Sequence, residues 1–305
     1  MTAVSPPAPT AASAPPPAPD ALPAPRPARR VVKPEVVLAV AAAGVFMEFV
    51  DTTLVTIAFP EIRQAFPEGG TSVLAWVFNA YSIVFAALLV AGGSLADLLG
   101  RRRAFRTGLF LFTLASAGCA VAPSVGVLIA ARAFQALGGA LAVPAAAGLV
   151  SQAFPAARRA SALAALAAVA AIAAALGPPL GGLLINLVDW RFAFLVNVPV
   201  GIVAIFLAGR LLVESRTPGR RAVPDLLGAL TLAVAIALLT LGIVESDPWG
   251  WGSPAQLAVF AAAVGLAVWF VRRCGWHSSP ALDITLYKER TFAAANLGVL
   301  VSAIG

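Results

Sequence analysis

Charge is scarce in this chain. Asp, Glu, Lys and Arg make up 11% of its 305 residues, against about a quarter in soluble domains, which excludes an ordinary soluble globular fold. Histidine occurs once, at His277, and cysteine twice, at Cys119 and Cys274. With no HExxH or CxxC spacing, nothing supports a metal site. No nucleophile–base arrangement suggests an enzyme, and no cofactor is expected. The two cysteines belong near opposite membrane faces, so no disulfide is expected between them.

What the chain does have is apolar length. Hydrophobic residues make up 60% of it, in several runs longer than the ~18 residues a helix needs to cross hydrocarbon. The fold class this dictates is an all-α polytopic membrane protein. The formal net charge of +7 does not point to nucleic acid. Its cations sit in short clusters between apolar runs, the pattern that the positive-inside rule produces.

Residues 1–35 contain eleven prolines and almost no large apolar side chain. Proline fixes φ and lacks an amide donor, so this cytoplasmic Pro/Ala-rich tail is predicted to be disordered or polyproline II. It is an inert extension or a polyproline ligand, and not a signal peptide, since it has no apolar core. Eight spans follow: Val36–Phe59, Ser72–Ala96, Ala104–Val121, Gly126–Val150, Ala160–Leu187, Phe192–Val213, Leu226–Val244 and Ala255–Val271. A ninth run from Phe292 reaches only fourteen residues before Gly305. That covers about 21 Å of a ~30 Å hydrocarbon core, which predicts a chain cut short inside the membrane.

Basic residues set the orientation. With the N-terminus in the cytoplasm, eighteen Lys and Arg lie inside, among them Lys33, the Arg101–Arg103 run, Arg158, Arg159, Arg210 and Arg273. Only Arg63 and Arg191 lie outside, and Arg132 falls within a span. So lopsided a count predicts the topology directly.

The turn Gly93-Ser94-Leu95-Ala96-Asp97-Leu98-Leu99-Gly100-Arg101-Arg102-Arg103 joins the second and third spans. Each arginine would cost about 2.5–3.5 kcal/mol at a helix centre, so the run must lie at one membrane face. Its glycines let two helix ends approach, and Asp97 sits among cations able to hold it.

Three ionisable residues fall inside spans: Glu48, Asp51 and Arg132. At membrane depth such groups mark a site by default. Glu48 and Asp51 are three residues apart and share a helix face. At 1.5 Å rise, Asp51 and Arg132 both lie roughly 9–12 Å below the outer boundary, so they can pair if their helices are neighbours. One reading is a structural ion pair. The other is a protonatable site in which the second carboxyl, Glu48, shares the work.

Small residues and aromatics add further candidates. Ala173, Gly177 and Gly181 repeat every four residues, with Gly182 after them and Pro178 and Pro179 between. They form either a packing seam or a bent gating helix. Eleven alanines between Ala160 and Ala175 make that span weakly lipophilic, and it is expected to face protein more than lipid. Gln135 follows Arg132 on one face. Trp76, Asn79 and Tyr81 stand near the outer end of the second span, as interfacial belt residues or as pocket lining. Trp76, Asn79 and Gln135 are the substrate-binding candidates; Trp190, Trp249 and Trp251 read as belt residues.

Together these segments resemble the major facilitator superfamily, specifically its fourteen-helix drug:proton antiporters (EmrB/QacA-like). The turn from Gly93 to Arg103 is similar to the loop between helices 2 and 3 of that family, which implies a cytoplasmic gate at Gly93, Asp97, Gly100, Arg101 and Arg102, and Val50–Pro60 is similar to its first-helix motif. Arg132–Gly139 resembles its fourth-helix motif for proton transfer, and Gly177-Pro178-Pro179-Leu180-Gly181-Gly182 its fifth-helix antiporter motif. Asp189–Gly201 is similar to the segment opening helix 6. The resemblance implies an N-terminal six-helix bundle over 36–213 and two inserted helices over 214–273. A cytoplasmic loop and the start of a ninth helix would fill 274–305. It also implies proton-driven efflux of lipophilic, often cationic, compounds by alternating access in a bacterial plasma membrane, with a second six-helix half that this chain lacks. Export of an endogenous metabolite, or a truncated non-transporting membrane protein, are the alternatives.

Overall fold

The computed structural model describes residues 32–215 and 225–277, together with Pro280, Lys288, Glu289 and Ala294. Most of the predicted N-terminal tail and the ninth apolar run lie outside the described residues.

Every regular element described is a helix. The order is α1 (Pro34–Ala65), α2 (Thr71–Leu99), α3 (Arg101–Ala120), α4 (Val125–Ala153), α5 (Ala156–Leu187), a single turn α6 (Phe192–Leu195) and α7 (Asn197–Leu211). Then come α8 (Leu226–Val244), a second single turn α9 (Ser246–Trp249) and α10 (Pro254–Trp276). Local chemistry sets several starts. Ser124 accepts the Val127 amide at 3.4 Å to begin α4, and Ser253 accepts that of Gln256 at 3.2 Å to begin α10, each satisfying an otherwise unpaired first-turn donor. Between α2 and α3 the chain turns at Gly100, with φ of +108°, a conformation that side chains disfavour.

Seven segments are long and apolar enough to cross a membrane, with α6 and α7 counting as one, Phe192–Leu211. The sequence reading has eight spans; the difference is α3, whose first two turns carry four arginines. Even so, α3 is enclosed by the bundle, with Phe105, Leu109, Phe112 and Cys119 buried.

The helices α4, α2 and α3 pack along one another, α1 lies along α5 and touches α4 and α7, and α7 closes against α3. Close approach depends on side chains that are missing: Gly108 of α3 and Gly138 of α4 rest on each other's backbones. Without a hydrophobic force between helices in lipid, such contact supplies much of the association. Beyond the six-span bundle, α8 packs on α2, and α10 packs on α8.

The buried apolar residues form two clusters. One includes Val45, Met47, Phe105, Ala136 and Leu149; the other includes Val50, Leu54, Leu74, Leu128 and Phe194. On α1 the first ends at Met47 and the second begins at Val50, and on α4 they are separated between Leu128 and Ala136. Glu48, Asp51, Arg132 and Gln135 occupy that seam.

Two expectations are corrected. Trp190 is not a belt residue: it is 3% exposed and wedged edge-on between Phe66 and Phe194. Trp249 and Trp251, by contrast, are exposed. Next, α1 does not stop near Phe59 but continues through Pro60 to Ala65, nearly two turns further. On α5 the residues buried within this chain form a narrow stripe of Ala162, Leu166, Ala173, Gly177 and Gly181, and most of its alanine surface is exposed.

Candidate functional site

The site is built from five helices. From α1 come Glu48 and Asp51, 4% and 0% exposed, one turn apart. Across 81 positions of sequence, α4 brings Arg132, whose Nη1 donates to Asp51 Oδ2 at 2.6 Å. The other oxygen, Asp51 Oδ1, accepts from Gln135 Nε2 at 2.9 Å and from Asn197 Nδ2 at 2.6 Å. Ser116 of α3 accepts from Gln135 at 2.8 Å. Asp51 thus faces three N–H donors, one of them cationic, which is the surrounding of an ionised carboxylate.

Arg132 is equally enclosed, at 1% exposure. Its Nε donates to the Val77 carbonyl at 3.3 Å and its Nη1 to Gln135 Oε1 at 2.7 Å. Its guanidinium lies 4.2 Å from the centre of the Tyr81 ring, close enough for cation–π attraction. Charge and hydrogen bonds here are balanced within the protein.

Glu48 is placed differently. Among the described residues its carboxyl has one hydrogen bond, from the Tyr81 hydroxyl at 3.3 Å, and it rests on Gly139 of α4, where any side chain would collide with it. No cation lies in salt-bridge contact with it among the described residues. A buried charge without a counter-ion is expensive, and the neutral acid avoids that cost. The two carboxyls that share a face therefore have unlike surroundings, one neutralised by Arg132 and the other held by a phenol.

At the arginine-rich end, Asp97 accepts from Arg101 Nε at 2.9 Å and pairs with its Nη2 at 2.8 Å. The same arginine donates to the Gly148 carbonyl of α4 at 2.6 Å. Arg102 donates from its backbone to Glu214 at 3.1 Å and from its side chain to the Gly209 carbonyl of α7. The Glu214 carboxylate also lies against Gly100, where a Cβ would overlap it. The turn is thereby strapped to α4 and to the segment after α7. Gly93 lies against Pro144 of α4.

On α5, Gly177 abuts Thr53 so closely that any side chain would overlap it, and Gly181 meets Ile57 and Leu54. The glycine repeat is thus the seam between α5 and α1, one turn beyond Asp51. A side chain at Gly182 would meet no other atom within 4 Å among the described residues, and Pro178 is exposed.

Of the substrate-binding candidates, Gln135 is fully enclosed as a partner of Asp51. Trp76 and Asn79 are part-exposed on α2, and neither hydrogen-bonds to the cluster among the described residues. Sequence reasoning missed Ser116, Asn197 and Glu214 as site residues, and left Tyr81 between belt and pocket. Polar residues inside apolar runs were the available signal for Ser116 and Asn197. Glu214 gave none, since it sits in a polar stretch.

The sequence profile of the Major Facilitator Superfamily matches residues 41–304. The chain is 39% identical over 262 residues to multidrug resistance protein Stp of Mycobacterium tuberculosis, covering 85% of this chain and 48% of that one. It is 37% identical over 268 residues to the cephamycin export protein CmcT of Amycolatopsis lactamdurans, covering 87% and 55%. With the methylenomycin A resistance protein of Bacillus subtilis, identity is 36% over 268 residues, covering 87% and 57%. The chain thus spans about half the length of the curated relatives it matches. Among solved structures it is similar in fold to the human organic anion transporter MFSD10 (TETRAN), at 16% identity, TM-score 0.54, and 70% and 56% coverage. A peptide transporter POT mutant bound to sulfate gives 16% identity, TM-score 0.53, and 81% and 52% coverage. Matched over residues 41–304 by that profile, this chain belongs to the Major Facilitator Superfamily.

Proposed function

We propose that this chain is the first half of a proton-coupled exporter of lipophilic, often cationic, small molecules, working by alternating access in a bacterial plasma membrane with its N-terminus in the cytoplasm. The reading is carried by one observation: two buried carboxyls one turn apart, of which, among the described residues, only Asp51 has a cationic partner. Arg132, Gln135 and Asn197 hold Asp51 as an anion, while Glu48 has a phenol for company and takes the exchangeable proton. Loading and unloading that proton changes the charge of the seam between two apolar clusters, and such a change biases one bundle arrangement over another. Moving one charge across the membrane contributes about 2.3 kcal/mol per 100 mV. The strap of Asp97, Arg101, Arg102 and Glu214 latches the cytoplasmic side. A second six-helix half completes the transport path, with substrate bound near the midplane between the halves; Trp76 and Asn79 are the candidates to line it. The proton gradient is the only energy source invoked.

The test is substrate-induced proton release from proteoliposomes containing the complete transporter. Glu48→Gln is expected to lose it more than tenfold while inserting and folding normally, and Asp51→Asn to lose it as well. Proton release at the unmodified rate from Glu48→Gln would refute the assignment of the proton to Glu48. The same rate from both variants would refute coupling through this site.

Relatives named for one compound, such as the cephamycin and methylenomycin A proteins, favour a second reading in which the cargo is a single endogenous metabolite. A resistance panel separates the two: a multidrug exporter protects against several unrelated compounds, and a metabolite exporter against one.

A further inference from the structure

Between α3 and α7, on the outside of the bundle, lies a groove of about 520 Å³. It is lined by Arg106, Phe110, Ile202, Phe206, Gly209 and Arg210. The two helices are neighbours running in opposite directions, and their sequences mirror each other across the groove. Arg106 precedes Phe110 by four residues on α3, and Phe206 precedes Arg210 by four on α7. Residues four apart stand one above the other on a helix. The groove is therefore layered, with two guanidinium groups at the arginine-rich end and aromatic and aliphatic side chains a turn deeper.

Phe110, Ile202 and Phe206 are each more than half exposed, as lipid-facing side chains should be. The cationic layer is less ordinary. Arg210 lies over the Phe206 ring, 4.9 Å from its centre, and the Arg106 guanidinium lies against Gly209, a floor with no side chain to fill it. Two guanidinium groups at the headgroup end of an apolar slot match in charge and shape a lipid with an anionic phosphodiester head and acyl chains. Basic pockets between membrane helices hold such heads.

We infer that the α3–α7 groove is a binding site for an anionic phospholipid. Its phosphate sits between Arg106 and Arg210, and an acyl chain lies along Phe110, Ile202 and Phe206. The site is separate from the Asp51 cluster and does not depend on what is transported.

The experiment is native mass spectrometry of the purified protein titrated in detergent with phosphatidylglycerol, phosphatidylcholine and inorganic phosphate. One phosphatidylglycerol should bind in preference to phosphatidylcholine. Arg106→Gln/Arg210→Gln should weaken it roughly 20- to 30-fold, at about fivefold for each arginine. Arg158→Gln/Arg159→Gln, which removes the arginine pair at the start of α5, should leave it unchanged. Gly209→Leu keeps both arginines but fills the floor and should also weaken it; helical circular dichroism confirms that each variant is folded. Equal binding of phosphatidylcholine overturns the assignment, as does unchanged binding by the Arg106/Arg210 double variant or by Gly209→Leu. Inorganic phosphate matching the lipid's affinity would show that the apolar lining contributes nothing, and would overturn a lipid as occupant.

Discussion

Among the described residues, two buried aspartates pair with an arginine, Asp51 and Asp225, and their surroundings set them apart. Asp51 and Arg132 meet in the middle of the bundle, both essentially without exposure. Asp225 and Arg273 meet where α8 begins and α10 approaches its end, with contacts of 2.9–3.0 Å. Asp225 is also the N-cap of α8, accepting the Gly228 amide at 2.8 Å, and the Arg273 side chain remains 24% exposed. Where α10 begins and α8 ends, Gln256 donates to the Gly242 carbonyl at 3.1 Å, so the α8–α10 hairpin is pinned at both ends. That pair has a structural duty and, among the described residues, no second carboxyl bonded beside it. The Asp51 pair has Glu48 one turn away. A buried ion pair alone is thus no sign of function; the additional, unneutralised acid is what distinguishes the central site.

The sharpest way to break this contrast is Asp51→Asn. It leaves Arg132 buried without its counter-charge, which costs about 3–5 kcal/mol, and thermal unfolding in detergent should fall accordingly. Adding Arg132→Gln should return most of that loss without returning proton coupling. Recovery of both together would make the central pair as purely structural as the peripheral one.

A smaller effect is expected at the periphery. Asp225→Ala removes the cap and the charged hydrogen bonds, about 2–3 kcal/mol, and should speed amide exchange in the first turn of α8 while leaving transport within twofold of normal. Asp225→Asn keeps the cap and should retain part of that protection. Smaller again is Gly100→Ala, which forces a side chain into positive φ and against Glu214. About 1–2 kcal/mol is expected, read as loosening of the strap by hydrogen exchange across residues 97–103.

The mildest test is acid. Burial alone would raise the Asp225 carboxyl, but hydrogen bonds from Arg273 and the Gly228 amide outweigh it and hold the group below the usual aspartate value. A depressed carboxylate stabilises the folded state above its unfolded pKa, and that contribution is lost as pH falls through the folded value. Protection of the α8 start should therefore be flat through neutral pH, begin to decline at the ordinary aspartate range and vanish below it. Asp225→Asn should abolish that decline.

Much of the architecture was legible in the residues. Apolar runs located the spans, because a helix that satisfies its own backbone is the only local solution in hydrocarbon. The arginine run before Ala104 located a turn. Even the pairing of Asp51 with Arg132 could be anticipated from depth, since 1.5 Å per residue turns position into height. Height is one coordinate of three, however. Asn197 lies 146 positions from Asp51, and Tyr81 and Ser116 reach the site from helices whose rotation no periodicity fixed. Trp190 deceived for the same reason: tryptophan at a span end suits both an interface and a core, and only the positions of Phe66 and Phe194 select between them.

By itself, the sequence determined that this is a helical membrane protein, where its chain turns, and which charged side chains must be shielded from lipid, because each of these follows from transfer energies summed along one helix. Which of the two neighbouring acids is neutralised was decided only when five helices were brought together. Counter-charge and hydrogen bonding act over a few ångströms in space, and sequence distance does not encode them.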